Sequence, residues 1–391
     1  MRIGVGQGAT PPPQSASSVD PFLATRALMR LMDSFNPPPA LRRLYLGASA
    51  LFVACSDNPP APGLEAAPSA VVATQLRGVP FPADNAPSAA KVELGRLLYW
   101  DPILSGNQDV ACASCHDPAF GYSDGRGISI GTGGQRTKRA ALTVLDAAWN
   151  GWTASTPNPD ASQAPMFWDL RARSLESQAA GPISGETEMR GAAFDETTIF
   201  PELAKRLSAI PEYVTRFDAA FGPSTTIDQT AIVRAVATFE RTIVTVPSYQ
   251  RWLAGDDTAI SAAAKQGVAT FRDSGCSRCH SGPMLSDFGL HRFTRGGEAI
   301  RTPSLRNVIR TAPYMHDGRA ANLDQVFDIY RRIDDNADPL FRDLRSPDDG
   351  DRDAVIAFLQ SASDGDFDQT VPTAVPSGLA VGGRRVASGI R

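Results

Sequence analysis

The chain has 391 residues, 42% of them hydrophobic, with 38 Lys plus Arg set against 42 Asp plus Glu for a formal net charge of −4. At roughly 100–200 residues per domain that length suits two domains, and the apolar fraction supplies a core that a disordered polymer lacks. The slightly acidic balance excludes a nucleic-acid binder working through a basic footprint.

Near the N-terminus, Arg42-Arg43 precede an uncharged apolar run from Leu44 to Ala54 that ends at Cys55. The run is far short of the about 20 residues needed to span a bilayer. A basic flank, a short apolar stretch and small residues before a cysteine have the form of a lipoprotein signal. The reading is therefore an N-terminal extension and signal over 1–55, a lipid on the Cys55 thiol, and a Pro/Ala-rich tether over 56–80. A buried cysteine in an ordinary helix is the plainer alternative.

Beyond the tether, helical periodicity dominates. Val92, Leu94, Leu97 and Leu98 predict a helix over Ala90 to Tyr99, and Ile232, Val233, Val236, Phe239 and Ile243 predict another within Ile227 to Val244. Ala259 to Arg272 and Arg352 to Ser361 are two further amphipathic stretches. Residues 370–391 are Gly/Ser/Val-rich without a period and are expected to form a mobile tail.

Two pentapeptides carry the chemistry. Cys112-Ala113-Ser114-Cys115-His116 and Cys276-Ser277-Arg278-Cys279-His280 are both C-x-x-C-H, and together they use four of the five cysteines and two of the four histidines. Two thiols at this spacing add to the two vinyl groups of a haem, and the adjoining imidazole then falls beneath the iron. A zinc site would want further ligands nearby, and a thioredoxin-like dithiol would not carry His after both pairs. Two covalent c-type haems follow, one in each half of the chain. The expected fold is mostly α, with two cytochrome c-like domains over 81–246 and 247–369. Because c-type haem is attached after export, the expected compartment is the periplasm, with the lipid as the only membrane contact.

Over residues 80 to 365 the chain resembles the bacterial di-haem cytochrome c peroxidase and MauG superfamily. The matching blocks are Leu94-Gly95-Arg96-Leu97-Leu98-Tyr99-Trp100-Asp101-Pro102, Phe167-Trp168-Asp169-Leu170-Arg171-Ala172, Thr302-Pro303-Ser304-Leu305-Arg306-Asn307-Val308 and Thr311-Ala312-Pro313-Tyr314-Met315-His316-Asp317-Gly318. The resemblance implies that the first haem meets hydrogen peroxide and the second transfers electrons. It assigns Trp168 a place between the haems, Gln178 a place in the distal pocket and Glu188 the acid/base role. Those roles suit the chemistry. Cleaving an O–O bond needs a group that moves a proton from one oxygen to the other.

Three departures from the conventional peroxidases stand out. The position of their removable distal histidine is Thr132, so the first iron is expected to be open in every oxidation state. The sixth-ligand position of the second haem is Tyr330, the residue of MauG-like members, where conventional members have Met. An oxygen ligand favours high-valent iron, whereas a thioether favours the ferrous form. Tyr330 also closes an apolar helical stripe with Leu323, Val326 and Phe327, so a core role is the rival reading, and Met315 and Met284 are rival ligands. His291 and His316 are expected to be packed imidazoles rather than ligands. Thirdly, the family's calcium would use Thr311 and Pro313, but the position of its Asn is Ala140, which weakens that expectation.

Three functions follow. The first is a MauG-like oxidase that consumes hydrogen peroxide and oxidises a partner protein. The second is a peroxide-scavenging cytochrome c peroxidase fed by a small cytochrome or cupredoxin. The third is a non-catalytic di-haem electron carrier, which an open first iron argues against.

Overall fold

The computed structural model describes residues 78–294, 296–333, 337–342 and 344–384. The expected signal, Cys55 and nearly all of the tether lie outside them. No helix among the described residues is long and apolar enough to cross a membrane.

The first helix, α1 (Ala89–Trp100), starts where the Ser88 side chain accepts from the Lys91 amide, and it stops at extended Asp101 ahead of Pro102. Then come α2 (Leu175–Ser184), α3 (Ile199–Ser208), α4 (Pro211–Phe221) and α5 (Gln229–Glu240). The second half holds α6 (Ser248–Leu253), α7 (Ala262–Asp273), α8 (Leu323–Arg331) and α9 (Asp349–Ser361). The one sheet among the described residues is the antiparallel pair β1 (Leu290–His291) and β2 (Ile300–Arg301). All four helices expected from periodicity are present, but α5 ends before Val244. Residues 243–245 turn away to hold Asp146, whose amide donates to the Ile243 carbonyl at 2.9 Å.

Two apolar cores organise these helices. The first gathers Leu94, Leu98, Tyr99, Ile232, Val236 and Phe239 from α1 and α5 with residues of α2, α3 and α4. The second gathers Tyr249, Phe271, Phe327, Val355 and Phe358 from α6 to α9. Each core is closed by one tight helix crossing. A Cβ on Gly95 of α1 would run into the Ala235 carbonyl of α5, and a Cβ on Gly267 of α7 would run into the Ala354 carbonyl of α9. Glycine lets the two backbones touch at both crossings.

Between the cores lies a smaller cluster of Trp149 and Trp152 with Met284 and Phe288. Beside it, fully buried Asp146 accepts from Thr245 N (2.7 Å), Thr245 Oγ1 (2.6 Å), Arg306 Nε (2.9 Å) and Asn307 Nδ2 (2.7 Å). Arg306 and Asn307 come from the Thr302–Val308 block, so this junction joins the two halves.

The mobile tail expected over 370–391 is corrected as far as residue 384. Val375 is buried in the first core, Ser377 Oγ donates to Asp101 Oδ1 at 2.6 Å, and Gly382 N donates to the Trp100 carbonyl at 2.7 Å. The chain thus crosses back to the half it started from, and few apolar residues suffice because backbone bonds hold the segment.

Candidate functional site

Each C-x-x-C-H motif folds as a tight turn, Cys112–Ser114 in one half and Cys276–Arg278 in the other, with the histidine amide bonded back to the first cysteine carbonyl at 3.0 Å. That places both thiols and the imidazole on one side of a single turn. His116 Nδ1 donates to the Tyr122 carbonyl (3.1 Å) and His280 Nδ1 to the Leu285 carbonyl (3.0 Å). A carbonyl can only accept, so each ring is held as the tautomer with a bare Nε2, the atom an axial iron ligand needs. Tyr122 and Leu285 both sit at positive φ, 57° and 51°, and that turns their carbonyls inward. Burial lowers the pKa of both rings, which keeps them neutral and available as ligands.

The second motif opens on an apolar cavity of about 1560 Å³ including its mouth, lined among others by Cys276, Cys279, His280, Trp168, Met315 and Tyr330. Tyr330, on α8, packs against Phe293 and Phe341 with ring centres 5.7 and 6.3 Å apart. Burial raises its pKa, with Cys276 and Cys279 adding to the rise, and all three residues line the same cavity. Met284, by contrast, is fully buried in the cluster between the cores, where its sulfur meets Arg306, and it is not part of this cavity. His291 is engaged at both nitrogens, with Asp287 at 2.9 Å and Asp338 at 3.3 Å, and hydrogen bonding to Asp287, then to Cys279, raises its pKa to about 10. His316 meets Trp168 edge-on at 6.3 Å.

One cavity residue escaped sequence reasoning. Arg301 is 4% exposed, and its guanidinium donates only to carbonyls, those of Phe167 (2.7 Å) and Pro165 (3.2 Å). Burial lowers its pKa to about 10. A buried cation beside an apolar cavity, with no carboxylate among the described residues, suits a haem propionate. The bare Nε2 atoms, the paired thiols and this cation together fit the groups the two motifs imply.

Phe167 and Trp168 straddle the two halves. Phe167 packs against Gly181 of α2, on the first core's side, and carries the Arg171 guanidinium 3.5 Å above its ring. Trp168 lines the second cavity and donates from Nε1 to the Ala140 carbonyl at 3.0 Å. That bond occupies the carbonyl of the residue standing where the family's calcium-binding Asn is expected. Thr311 and Pro313 line the same cavity, and Thr311 Oγ1 donates to the Val308 carbonyl.

At the first motif, Glu188 lies in a wide helical turn, Glu186–Arg190, close enough to raise the pKa of Cys115. Burial pushes the Glu188 carboxyl above its ordinary value, and Arg171 opposes the shift. Gln178 is half-buried on α2, the helix leading into that turn. Thr132 is fully buried, with its hydroxyl donating to Asp109 Oδ1 at 2.6 Å. The position of the removable histidine is thus tied to an aspartate. The structure brings Glu188 to the first motif and Trp168, Tyr330, Thr311 and Pro313 to the second cavity.

The profile of the di-haem cytochrome c peroxidases matches residues 89–258. The methylamine utilization protein MauG of Methylorubrum extorquens is 34% identical over 305 residues, spanning 72% of this chain and 81% of that protein. The cytochrome c551 peroxidase of Nitrosomonas europaea is 32% identical over 322 residues, 76% of this chain and 87% of the other. Among solved structures, a MauG-like protein associated with microbial copper homeostasis superposes with a TM-score of 0.63 at 25% identity, covering 79% of this chain and 95% of its own.

Proposed function

Since this chain belongs to the di-haem cytochrome c peroxidase and MauG family and is a di-haem oxidoreductase, we propose that it is a MauG-like oxidase that takes hydrogen peroxide at the first haem and oxidises a partner protein from the second. The observation that carries this reading is the pairing of a half-buried carboxyl, Glu188, with a first motif at which Thr132 stands in the position of the distal histidine. When bound, haem would supply the redox chemistry, and His116 and His280 would hold its two irons.

The protein's own residues do the rest. Glu188, whose burial makes its carboxylate a stronger base than that of a surface glutamate, takes the proton from one peroxide oxygen and returns it to the other. Gln178 orients the peroxide by hydrogen bonding. Trp168 stands on the wall of the second cavity next to a residue packed against the first half, where an indole can pass charge between the sites. Tyr330 would offer its phenol oxygen to the second haem, and Arg301 would balance that group's propionates. On this reading the enzyme acts in the periplasm, anchored by the lipid on Cys55.

A conventional peroxidase is the second reading, and Met315 on the same cavity wall favours it, because a thioether there would replace Tyr330. The test is to add stoichiometric hydrogen peroxide to the fully ferric protein and follow both haem spectra. Rapid change at both, without prior reduction, is the expected result. Reaction only after one-electron reduction would establish the conventional peroxidase, and no reaction in either state an electron carrier. Tyr330→Phe is expected to leave haem attachment intact and alter the second haem's spectrum alone; an unchanged spectrum would remove Tyr330 from the iron.

A further inference from the structure

The last described residues of the segment that returns to the first half are linked to the Glu188 turn by a continuous chain of contacts. Arg384 donates from its amide to the Asp109 carbonyl (2.9 Å) and from Nη2 to Asp109 Oδ2 (3.3 Å). The same carboxylate accepts from Gly133 N at 2.8 Å and from Thr132 Oγ1 at 2.6 Å. Asp109 therefore ties the C-terminal segment to the loop Gly131-Thr132-Gly133-Gly134. That loop lies directly on the acid/base turn. A Cβ on Gly131 would collide with the Thr187 and Glu188 carbonyls, so the two backbones are in contact. Residues just before Asp109 touch the other end of the turn, with Gly106 N donating to the Met189 carbonyl at 2.7 Å.

Such a loop needs an anchor. Three of its four residues are glycines, two of them at positive φ (65° and 80°), so its backbone has the most freedom to lose. No histidine in it can fasten it to an iron. Asp109 supplies the hold, and Ser114 Oγ, inside the first C-x-x-C-H motif, donates to the Gly382 carbonyl at 2.8 Å to fix the segment from the other side.

We propose that residues 377–384 are a positioning element for Glu188, acting through Asp109 and the Gly131–Gly134 loop. This rests on Glu188 being the proton carrier, and the experiment separates the two ideas. Amide hydrogen exchange is measured on the resting holoprotein, together with the pH profile of peroxide consumption, for Arg384→Ala, Arg384→Lys and Asp109→Ala. Arg384 is half exposed, with 48% of its side chain accessible, so its replacement spares the fold.

The expected result is exchange about tenfold faster in both 129–137 and 186–191, with α7 and α9 unchanged. The acid limb of the profile should move to lower pH, because a loosened turn admits water to the Glu188 carboxyl and removes the burial that raises its pKa. Arg384→Lys should restore both readouts. Acceleration confined to 129–137, or an unmoved pH limb, would overturn the proposal and leave a structural tie. Coupled exchange in a protein inert to peroxide would support the positioning chain and defeat the proton-carrier reading.

Discussion

The two halves repeat one device with almost no shared sequence. In the first, Gly95 of α1 meets Ala235 of α5, and Tyr99 packs edge-on against Phe239 with ring centres 5.2 Å apart at 67°. In the second, Gly267 of α7 meets Ala354 of α9, and Phe271 packs against Phe358 at 5.3 Å and 68°. Both crossings stand behind a C-x-x-C-H turn whose histidine is oriented by a positive-φ carbonyl. The two turns therefore present the same set of thiols and imidazole in the same way, and the halves differ in what surrounds that set. Phe239 is followed by Glu240, while Phe358 is followed by Leu359, a lining residue of the second cavity. Tyr99 also donates from its hydroxyl to the His116 carbonyl at 2.7 Å, a bond Phe271 cannot make. The first half carries Glu188 and Glu240 near its motif; the second carries an apolar cavity with a tyrosine, and its nearest acid, Asp287, is tied to His291.

The largest test of that contrast is Glu188→Gln. Loss of a positioned acid/base should slow peroxide consumption by about 10²–10⁴ while leaving both haems attached and their resting spectra intact. A rate unchanged in stopped-flow would place the proton chemistry elsewhere and erase the functional difference between the halves.

Next comes the junction that makes the halves one unit. Asp146→Ala would leave Arg306, itself 1% exposed, as a buried cation without its carboxylate, at a cost of about 3–5 kcal/mol. Urea titration should show the loss in a single transition. Two separate transitions in the parent protein would mean that each half folds by itself.

Smaller effects are expected at the crossings. Gly95→Ala and Gly267→Ala each force a methyl into backbone, at about 1–3 kcal/mol or somewhat more. Equal losses would sharpen the repeat, whereas one tolerant crossing would show that only the other is closed tightly.

Glu240 gives the gentlest readout. Its side chain is 4% exposed with one oxygen unpartnered, and burial raises its pKa from 4.5 to about 8. The folded chain then holds a proton the unfolded chain releases, so stability falls as pH rises from 4.5 to 8. Glu240→Gln should flatten that slope, which is under about 1.4 kcal/mol per pH unit. No difference in melting between pH 5 and pH 8 would show that the carboxyl is solvated, and the Glu240/Leu359 contrast would lose its meaning.

What the sequence alone determined is what is local in the chain. A pentapeptide contains both thiols and the imidazole that a c-type haem site needs, so the sequence alone nominates these six residues without a fold. Helices were legible for the same reason, since periodicity and caps act over a few residues. Everything that distinguishes the two haem sites depends on residues far apart in the chain, which only tertiary packing brings together. Arg301 reads as an ordinary surface arginine until β2 buries it against the Phe167 carbonyl. Thr132 gains its meaning from Asp109, and the 370–384 segment looked like a tail because backbone hydrogen bonds, which leave no mark on composition, hold it down. The repeat of Gly95 and Gly267 was invisible for a related reason: a single glycine in a helix signals a close approach only when the carbonyl it makes room for is known.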